Sequence, residues 1–228
     1  MAWAVETEGL VAVVGGLDGV DLRVPAGCVH GVVGSDAAGP SALVRVLATL
    51  QRPDGGWARV LGADVVADAE VVRARVGCTG RTAWFDPRRS GPANLVELAR
   101  LLGYSRAAAL LRTDQLLSGF GLAGAAAGRP LATYTPAMRR RLDLAASIVV
   151  RPELVLLDEP TADLDPPCRA GVAEVLRALV RAGTTVLLTT RDLDEAARLA
   201  DRLSLLSGGR VVAEGTAGEL RARAGRPQ

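Results

Sequence analysis

An apolar stretch that ends in two adjacent acids constrains the fold of this chain more than any other feature. Residues 154–161 read LVLLDEPT, and a short apolar run rich in Leu and Val is typical of a strand buried in a parallel sheet. The carboxyl end of such a strand lies at the edge where open α/β sheets bind ligands. Asp158 and Glu159 stand at that end. Two neighbouring carboxylates suit a metal contact and a water-activating base, the two roles that phosphoryl transfer requires.

Composition narrows the class of protein. The chain has 228 residues, 49% of them apolar and 23% charged, which is enough for one sizeable domain, with or without a small subdomain, around a proper core. The net charge of +2, carried without a single lysine, is too small to favour a nucleic-acid partner. Three cysteines without metal-ligand spacing indicate a reduced, cytosolic setting. No apolar stretch approaches 18 residues, so we expect any role at a membrane to come through a partner.

Strand and helix patterns alternate along the chain, which predicts an α/β fold with helices packed on a parallel sheet. The first 21 residues alternate apolar and polar positions around Gly15 and Gly16, as short antiparallel strands do. Further strands are predicted at 28–33, 57–66 (as a pair), 154–157 and 184–189, and as a pair around Gly208 and Gly209. Helices are predicted at 40–50, 69–75, 92–122 (broken near Gly103), 136–149, 167–181, 192–200 and from about 217. A helical insertion of about 90–150 therefore interrupts the sheet.

A glycine-bearing loop follows the strand at 28–33 and precedes the helix that begins at Pro40. Phosphate loops with the pattern Gly-x4-Gly-Lys-Ser/Thr hold phosphate with backbone N–H groups at a helix N-terminus. Residues 34–41 keep both glycines, the spacing and the hydroxyl of Ser41, which suits Mg²⁺, but Pro40 replaces the lysine. The change removes an ammonium group and a backbone donor, and Asp36 adds a negative charge. The alternative interpretation of these residues alone is a strand-to-helix turn that binds nothing.

Taken in order, the motifs resemble those of ATP-binding-cassette (ABC) ATPase subunits over roughly residues 5–222. Residues 34–41 resemble Walker A, 76–81 the segment that ends in the Q-loop, 134–145 the signature motif and its helix, 154–161 Walker B, 163–165 the D-loop and 189–191 the switch region. Residues 138–145 and 193–202 are especially similar to the drug-exporter branch that includes daunorubicin-resistance-type pumps.

The resemblance implies one ABC-type ATP-binding domain over residues 1–228. Its fold is α/β, a P-loop NTPase (ABC ATPase) core with an N-terminal antiparallel β subdomain and an inserted α-helical subdomain at about 85–150. It also implies that ATP and Mg²⁺ are bound and that two subunits pair head to tail on a membrane-spanning permease.

The resemblance assigns a role to each motif position. Nucleotide binding falls to Gly34, Ser35, Asp36, Ala37, Ala38, Gly39, Pro40, Ser41 and Ala42. Magnesium binding is assigned to Ser41, Asp158 and the Q-loop position Arg81. Catalysis is assigned to Glu159 and the switch position Arg191. The signature positions are Thr135, Pro136, Ala137 and Met138, and the D-loop positions are Asp163, Leu164 and Asp165.

Several of these positions depart from the residues that the family uses. Arg81 stands for the Q-loop glutamine, Arg191 for the switch histidine, and residues 135–137 read Thr-Pro-Ala in place of Ser-Gly-Gly. Where the family stacks an aromatic ring on adenine, the chain offers Val13 and Val14. Each lost charge-assisted hydrogen bond of about 1.5–3 kcal/mol lowers affinity roughly 10–100-fold. We therefore expect nucleotide binding and hydrolysis to be weakened or lost.

The two new arginines leave two interpretations open. Arg81 and Arg191 carry permanent positive charge and either replace the missing lysine electrostatically or pair with Asp158 and Glu159 and neutralise them. Trp84 and Phe85 are either anchors for the membrane subunit or buried residues of the helical insertion. His30 is expected to be a packed strand residue, and residues 139–141, three arginines, to be the solvated face of a helix.

The sequence thus favours an ATP-binding subunit of an ABC-type exporter, cytoplasmic and peripheral on the inner face of the cell membrane through a permease. A homodimer or a heterodimer with a second ABC subunit is expected. The alternative is a non-catalytic regulatory or interaction module that pairs with an intact ABC subunit or a permease. A third interpretation is a decayed gene product that folds without a function.

Overall fold

A mostly parallel sheet of six strands carries the acids that the sequence singles out. The computed structural model describes residues 2–79, 85–124, 128–162 and 164–224. The strands are β3 (Val29–Val33), β6 (Val76–Cys78), β7 (Leu154–Asp158), β8 (Thr185–Thr190), β9 (Arg202–Ser207) and β10 (Arg210–Gly215), in the order β10-β9-β3-β8-β7-β6. Strand β3 pairs in parallel with both β8 and β9, β7 pairs in parallel with β8, and β10 is antiparallel to β9. The α/β fold class predicted from the alternating pattern is confirmed.

The N-terminal strands form a separate antiparallel sheet, as their alternating pattern predicts. Its strands are β1 (Trp3–Ala12), β2 (Leu17–Pro25), β4 (Gly55–Val60) and β5 (Ala63–Asp64), in the order β2-β1-β4-β5. Along β2, Leu17, Val20, Leu22 and Val24 are buried while the residues between them are more exposed, so one face of this sheet packs on the core. The predicted strand pair at 57–66 begins earlier, and its second strand has only two residues.

Eight helices are described, close to the predicted positions. They are α1 (Pro40–Leu47), α2 (Ala69–Arg75), α3 (Gly91–Leu101), α4 (Arg106–Gly119), α5 (Pro136–Ser147), α6 (Pro166–Arg181), α7 (Leu193–Leu199) and α8 (Ala217–Ala224). The predicted break near Gly103 is confirmed, and this residue has a φ of 94° that favours glycine.

Three predicted helices extend too far: the one at 92–122 ends at Gly119, and specific backbone and side-chain features explain the early ends of the other two. Helix α1 ends before Leu50 because Thr49 takes a left-handed conformation with a φ of 61°. Helix α5 ends at Ser147 rather than at Val149. The guanidinium group of Arg112 donates to the carbonyl oxygens of Val149 at 3.0 Å and Ile148 at 2.6 Å, and so satisfies carbonyl groups that follow the last helical turn.

The described chain divides into two units. One comprises Met1–Val76, Glu153–Glu159 and Leu176–Gln228, and the other Gly77–Pro152 and Pro160–Val175. The predicted helical subdomain at about 85–150 falls within the second unit, which also includes residues of the D-loop and the start of α6, so the domain boundaries stay a prediction. Among the described residues no helix is both long and apolar enough to cross a membrane.

Helices α3, α4 and α5 form the core of the second unit. Leu95, Ala109 and Leu142 are completely buried. The predicted apolar stripe of α5 is confirmed for Met138, Leu142 and Ala145, which are buried; Val149 is buried too but lies beyond the end of the helix. The N–H group of Gly91 donates to the hydroxyl of Tyr134 at 3.1 Å, which fixes the start of α3 against the segment before α5.

His30 is a buried histidine in β3, as expected from its strand position. Only 2% of the residue is exposed. The hydroxyl of Ser204 donates to Glu214 at 2.7 Å and lies 2.8 Å from Nε2 of His30, so the imidazole donates through Nε2. Nδ1 has no hydrogen-bond partner among the described residues. Burial, followed by the charge of Arg202, lowers the pKa of His30 from 6.5 to about 4.

We expect this histidine to make the protein less stable in mild acid. The unfolded chain binds a proton at His30 near pH 6.5, whereas the folded chain does so only near pH 4. Stability from this group is therefore complete above pH 6.5 and falls by about 3 kcal/mol as the pH drops toward 4. In His30→Gln, whose amide donates but does not titrate, urea unfolding should show a flatter decline between pH 7 and 4.5. Its free energy of unfolding at pH 8 corrects for altered packing, and equal slopes in the two proteins would contradict this assignment.

Candidate functional site

The loop between β3 and α1 has the strand–loop–helix geometry that its glycines predict. The N–H group of Gly34 donates to the carbonyl of Thr190 at 3.2 Å, and that of Ala38 donates to Ser35 at 2.9 Å. The backbone forms a 3₁₀ turn at Asp36–Ala38. Gly39 follows with a φ of 90° and caps α1. The side chain of Asp36 lies outside the described part of the chain.

The glycines of the loop are also required by packing against the β1–β2 turn. A Cβ atom on Gly39 would lie 2.6 Å from Cδ2 of Leu17 and 2.7 Å from the carbonyl oxygen of Gly15. A Cβ atom on Gly16 would lie 2.7 Å from the carbonyl oxygen of Ala37. The sequence indicated these residues only as a spacing and a turn, and their close approach is a tertiary contact. The turn and the loop therefore support one another.

Backbone donors remain available at the start of α1. Pro40 occupies the first helical position and has no N–H group. Within the described chain, no acceptor faces the N–H groups of Ser41 and Ala42. The N-terminus of a helix attracts anions through such groups and through its dipole. The loop thus keeps part of the donor set for phosphate, although it has no lysine.

The carboxylate of Asp158 is the centre of the hydrogen-bond network behind this loop. Its Oδ1 accepts from the hydroxyl of Ser41 at 2.9 Å and from the hydroxyl of Thr189 at 2.6 Å. The two contacts connect the end of β7 to α1 and to β8. A serine hydroxyl beside a carboxylate is a suitable pair of oxygen ligands for Mg²⁺, which usually takes one or two protein ligands together with phosphate oxygens and water. No group of three or more His, Cys, Asp or Glu residues is arranged to hold a metal ion in the described ranges.

Glu159 is held in an unusual backbone conformation directly after β7. Its φ is 46°, a left-handed value that costs an ordinary residue about 1–2 kcal/mol. Its N–H group lies 3.2 Å from both the carbonyl oxygen and the hydroxyl of Thr189. These contacts fix the direction in which the Glu159 carboxylate leaves the strand.

Arg191 forms an ion pair with Glu159. Nε of Arg191 donates to Oε1 of Glu159 at 2.6 Å, with side chains that are 59% and 28% exposed. The interpretation in which the switch arginine pairs with an acid is therefore confirmed for these two residues. An ion pair as exposed as this contributes little to stability, but it places a permanent cation on the carboxylate that was predicted to activate water.

In the second unit, the predicted signature residues begin α5. The hydroxyl of Thr135 accepts from the N–H group of Met138 at 3.2 Å and caps the helix, and Pro136 occupies its first position. Met138 is buried, whereas Thr135 and Pro136 are exposed. The substitutions at these positions are compatible with a well-formed helix start.

The described D-loop residues are ordered by contacts within the second unit. Leu164 is buried, and its carbonyl oxygen accepts from Nε of Arg169 at 2.8 Å. Oδ1 of Asp165 accepts from the N–H group of Cys168 at 2.8 Å near the start of α6. Hydrogen bonds from the Cys168 side chain and backbone lower the pKa of Asp165.

Three predicted residues, Arg81, Trp84 and Asp163, lie outside the described residues, so their contacts stay predictions. Phe85 is half-buried.

The sequence did not reveal the roles of two residues near the loop, Thr189 and Gln51. Thr189 was placed in the switch region without a role, yet it contacts both Asp158 and Glu159. Gln51 accepts from Nε of Arg45 at 3.1 Å and donates to the carbonyl of Val14 at 2.8 Å, which braces a turn whose valine side chains are about three-quarters exposed. A hydroxyl at the end of the strand beside β7 was the available signal for Thr189, whereas nothing in the sequence indicated Gln51.

A phosphate-type loop at the end of a parallel strand, backed by a serine–aspartate contact, defines a P-loop NTPase domain. The sequence profile of the ABC transporter family matches residues 17–162. The chain belongs to this family, as an ABC transporter ATP-binding domain. The resemblance proposed from the motifs is confirmed, while the roles of individual site residues stay predictions.

The chain is similar over nearly all its length to drug-resistance proteins. It is 55% identical over 225 residues to the daunorubicin/doxorubicin resistance ATP-binding protein DrrA of Streptomyces peucetius, covering 97% of this chain and 68% of that protein. It is 53% identical over 211 residues to the daunorubicin resistance ATP-binding protein DrrA3 of Streptomyces coeruleorubidus, covering 92% and 66% respectively. The chain thus spans about two thirds of the length of these relatives.

The fold also matches solved structures. One is cbiO1 from Clostridium perfringens, described as part of the ABC transporter complex cbiONQ. Its TM-score is 0.81 at 21% identity, and the match covers 98% of this chain and 92% of that chain. At this identity the comparison shows the ABC ATPase fold alone.

We expect Gly39→Ala to destabilise the protein much more than Gly27→Ala. Both glycines have positive φ, 90° and 75°, so an alanine costs about 1–2 kcal/mol of backbone strain at either position. Only at Gly39 does the new Cβ also collide with its neighbours, which adds about 1–3 kcal/mol. Urea unfolding of the two variants measures the difference. Equal losses would mean that the loop does not pack against the β1–β2 turn.

Proposed function

We propose that the chain is the ATP-binding subunit of an ABC-type exporter with weakened nucleotide binding and hydrolysis. The observation that carries the proposal is the network at Asp158, which joins the hydroxyl of Ser41 to the end of β7. The names of the similar proteins, which are drug-resistance ATP-binding proteins, support export as the process that the subunit serves.

In this proposal, phosphate is received by backbone donors in residues 34–42. Ser41 and Asp158 would hold Mg²⁺, which would supply positive charge to the phosphate oxygens. The open N–H groups of Ser41 and Ala42 supply part of the cradle, and Pro40 leaves a gap in it. With no ammonium group at this position and valines in place of an adenine-stacking aromatic, binding is weak.

Hydrolysis is weakened further because Arg191 occupies the Glu159 carboxylate. A general base must be within reach of the water that it activates. Nε of Arg191 lies 2.6 Å from Oε1 of Glu159, and a guanidinium does not give up its proton at physiological pH. The pair therefore withholds the acid from water unless nucleotide binding separates the two side chains. Arg191 released in this way would supply a positive charge in place of the missing lysine.

The second candidate is a non-catalytic regulatory or interaction module, a pseudo-ATPase. The same ion pair and the proline at position 40 favour it, because both remove chemistry while leaving the fold intact. In this alternative, the chain binds no nucleotide and acts by pairing with an intact ABC subunit or a permease.

Titration with MgATP separates the two candidates. We expect calorimetry to give a dissociation constant well above the micromolar range for the natural chain. In Pro40→Lys, an ammonium group returns to the phosphates, and affinity should rise roughly tenfold or more. Turnover should nevertheless stay at the level of the matched control Pro40→Lys/Glu159→Gln, because catalytic elements that act as a unit are not restored one at a time. Low-micromolar binding by the natural chain would contradict the weakened site, and no heat with either protein would favour the pseudo-ATPase.

We further propose that the subunit works in a pair on a membrane-spanning permease, at the inner face of the cell membrane. In a heterodimer with an intact ABC subunit, the altered phosphate loop of this chain would face the partner's intact signature motif. The altered signature motif of this chain would face the partner's intact phosphate loop. Each composite site would then contain one defect, so vigorous transport is not expected.

Affinity purification of the chain from mildly solubilised native membranes should recover a permease or a second ABC subunit. Recovery of a soluble monomer alone would contradict the paired arrangement. The Asp165→Ala variant is an informative comparison, because the side chain of this exposed D-loop residue accepts its hydrogen bond from Cys168, while its contact with Arg169 is through the backbone and survives the change. Its loss should weaken subunit pairing more than permease binding.

A further inference from the structure

Several large apolar side chains are exposed at the end of the α3–α4 hairpin where the chain passes from one helix to the other. Leu101 is 79% exposed and Leu111 is 63% exposed, and Leu102 and Leu110 are 38% and 52% exposed. Residues 102–105 connect the two helices, which pack against one another. Leu101 ends α3, Leu102 begins the connection, and Leu110 and Leu111 lie in the first two turns of α4, so all four are at the same end of the hairpin. Concentrated exposed apolar surface of this kind marks an interaction site.

Positive charges predominate at this end of the hairpin, since Glu97 is paired with Arg89 and the next acid, Asp114, lies one turn further along α4 than Leu110. Residues 98–113 contain three arginines and no acid. Arg112 is engaged with the end of α5. Arg100 and Arg106 are exposed and have no hydrogen-bond or ion-pair partner among the described residues. The occupant of this surface must therefore combine negative charge with apolar groups.

A depression of about 640 Å³ lies beside the exposed leucines. It is lined by Val96, Leu101 and Tyr104 and by three arginines. Arg89 pairs with Glu97 across it, so Arg100 and Arg106 supply its excess of positive charge. Tyr104 is anchored by its hydroxyl, which donates to the carbonyl of Val149 at 3.2 Å. The depression is thus open to solvent, positively charged and partly lined by apolar side chains.

We propose that this hairpin end binds directly to the surface of an anionic phospholipid membrane. Lipid phosphate fits Arg100 and Arg106, since weakly hydrated guanidinium groups pair readily with phosphate. The adjoining acyl chains and glycerol groups fit the leucines, which are exposed around the end of the hairpin, with Leu101 also at the wall of the depression. Aromatic rings, leucines and arginines together are the side chains that interfacial segments use at membranes. The contact needs no permease and does not depend on the nucleotide site.

Vesicle flotation of the full chain tests this proposal. Vesicles of phosphatidylglycerol and phosphatidylcholine should carry the protein to the top of a gradient, whereas pure phosphatidylcholine vesicles should not, and salt should reduce the binding. Each arginine at an anionic surface contributes about fivefold in affinity, so Arg100→Gln/Arg106→Gln should bind roughly 25-fold more weakly. Leu101→Ser/Leu111→Ser should also lose most of its binding because the apolar contact is removed.

Matched substitutions in the other unit serve as the control. Leu50 is 65% exposed and Arg52 is also exposed, so Leu50→Ser/Arg52→Gln makes equivalent changes away from the hairpin and should bind like the natural chain. Unchanged melting temperatures establish that all variants are folded. Equal binding to neutral and anionic vesicles, or full binding by both hairpin variants, would overturn the proposal. Binding to polyglutamate without binding to anionic vesicles would also overturn it, in favour of an acidic protein partner.

Discussion

The rest of the site depends on one carboxylate at the end of a buried strand. Asp158 accepts hydroxyl groups from α1 and from β8, so the phosphate-type loop, the strand that carries the acids and the strand that carries the switch position are joined at a single oxygen. Asp158 is partly buried, and leaving a carboxylate that is largely withdrawn from water without partners costs free energy. The geometry of the loop is thus maintained by the requirements of Asp158, whether or not a nucleotide is present.

Most of the fold was predictable from the sequence because its signals are local. The alternation of β2, the buried run of β7 and the glycine that separates α3 from α4 each follow from periodicity or turn chemistry. The ends of α1 and α5 were not predictable, since they depend on the conformation of Thr49 and on a guanidinium that arrives from α4. The Arg112 contact joins residues 36 apart in sequence, which no periodic pattern records.

The site shows the same division between local and tertiary information. Spacing located the loop, and the order of the motifs located Asp158, Glu159 and Arg191. The sequence did not decide whether Arg191 replaces the missing lysine or pairs with an acid, because the answer depends on the distance between Arg191 and Glu159, which follow two different strands. Thr189 was similarly overlooked, since a threonine in a strand has an ordinary structural explanation. Its two contacts became apparent only when β7 and β8 were placed side by side.

The left-handed backbone conformation of Glu159 does not depend on its carboxylate group. The conformation is held by backbone and hydroxyl contacts from Thr189, and none of these involves the Glu159 carboxylate. A change to asparagine or glycine would keep or ease the turn while removing the acid, whereas a β-branched residue would strain it. The acid can therefore be lost at this position without loss of the folded form, so the shape of this strand end does not depend on the chemistry of its side chain.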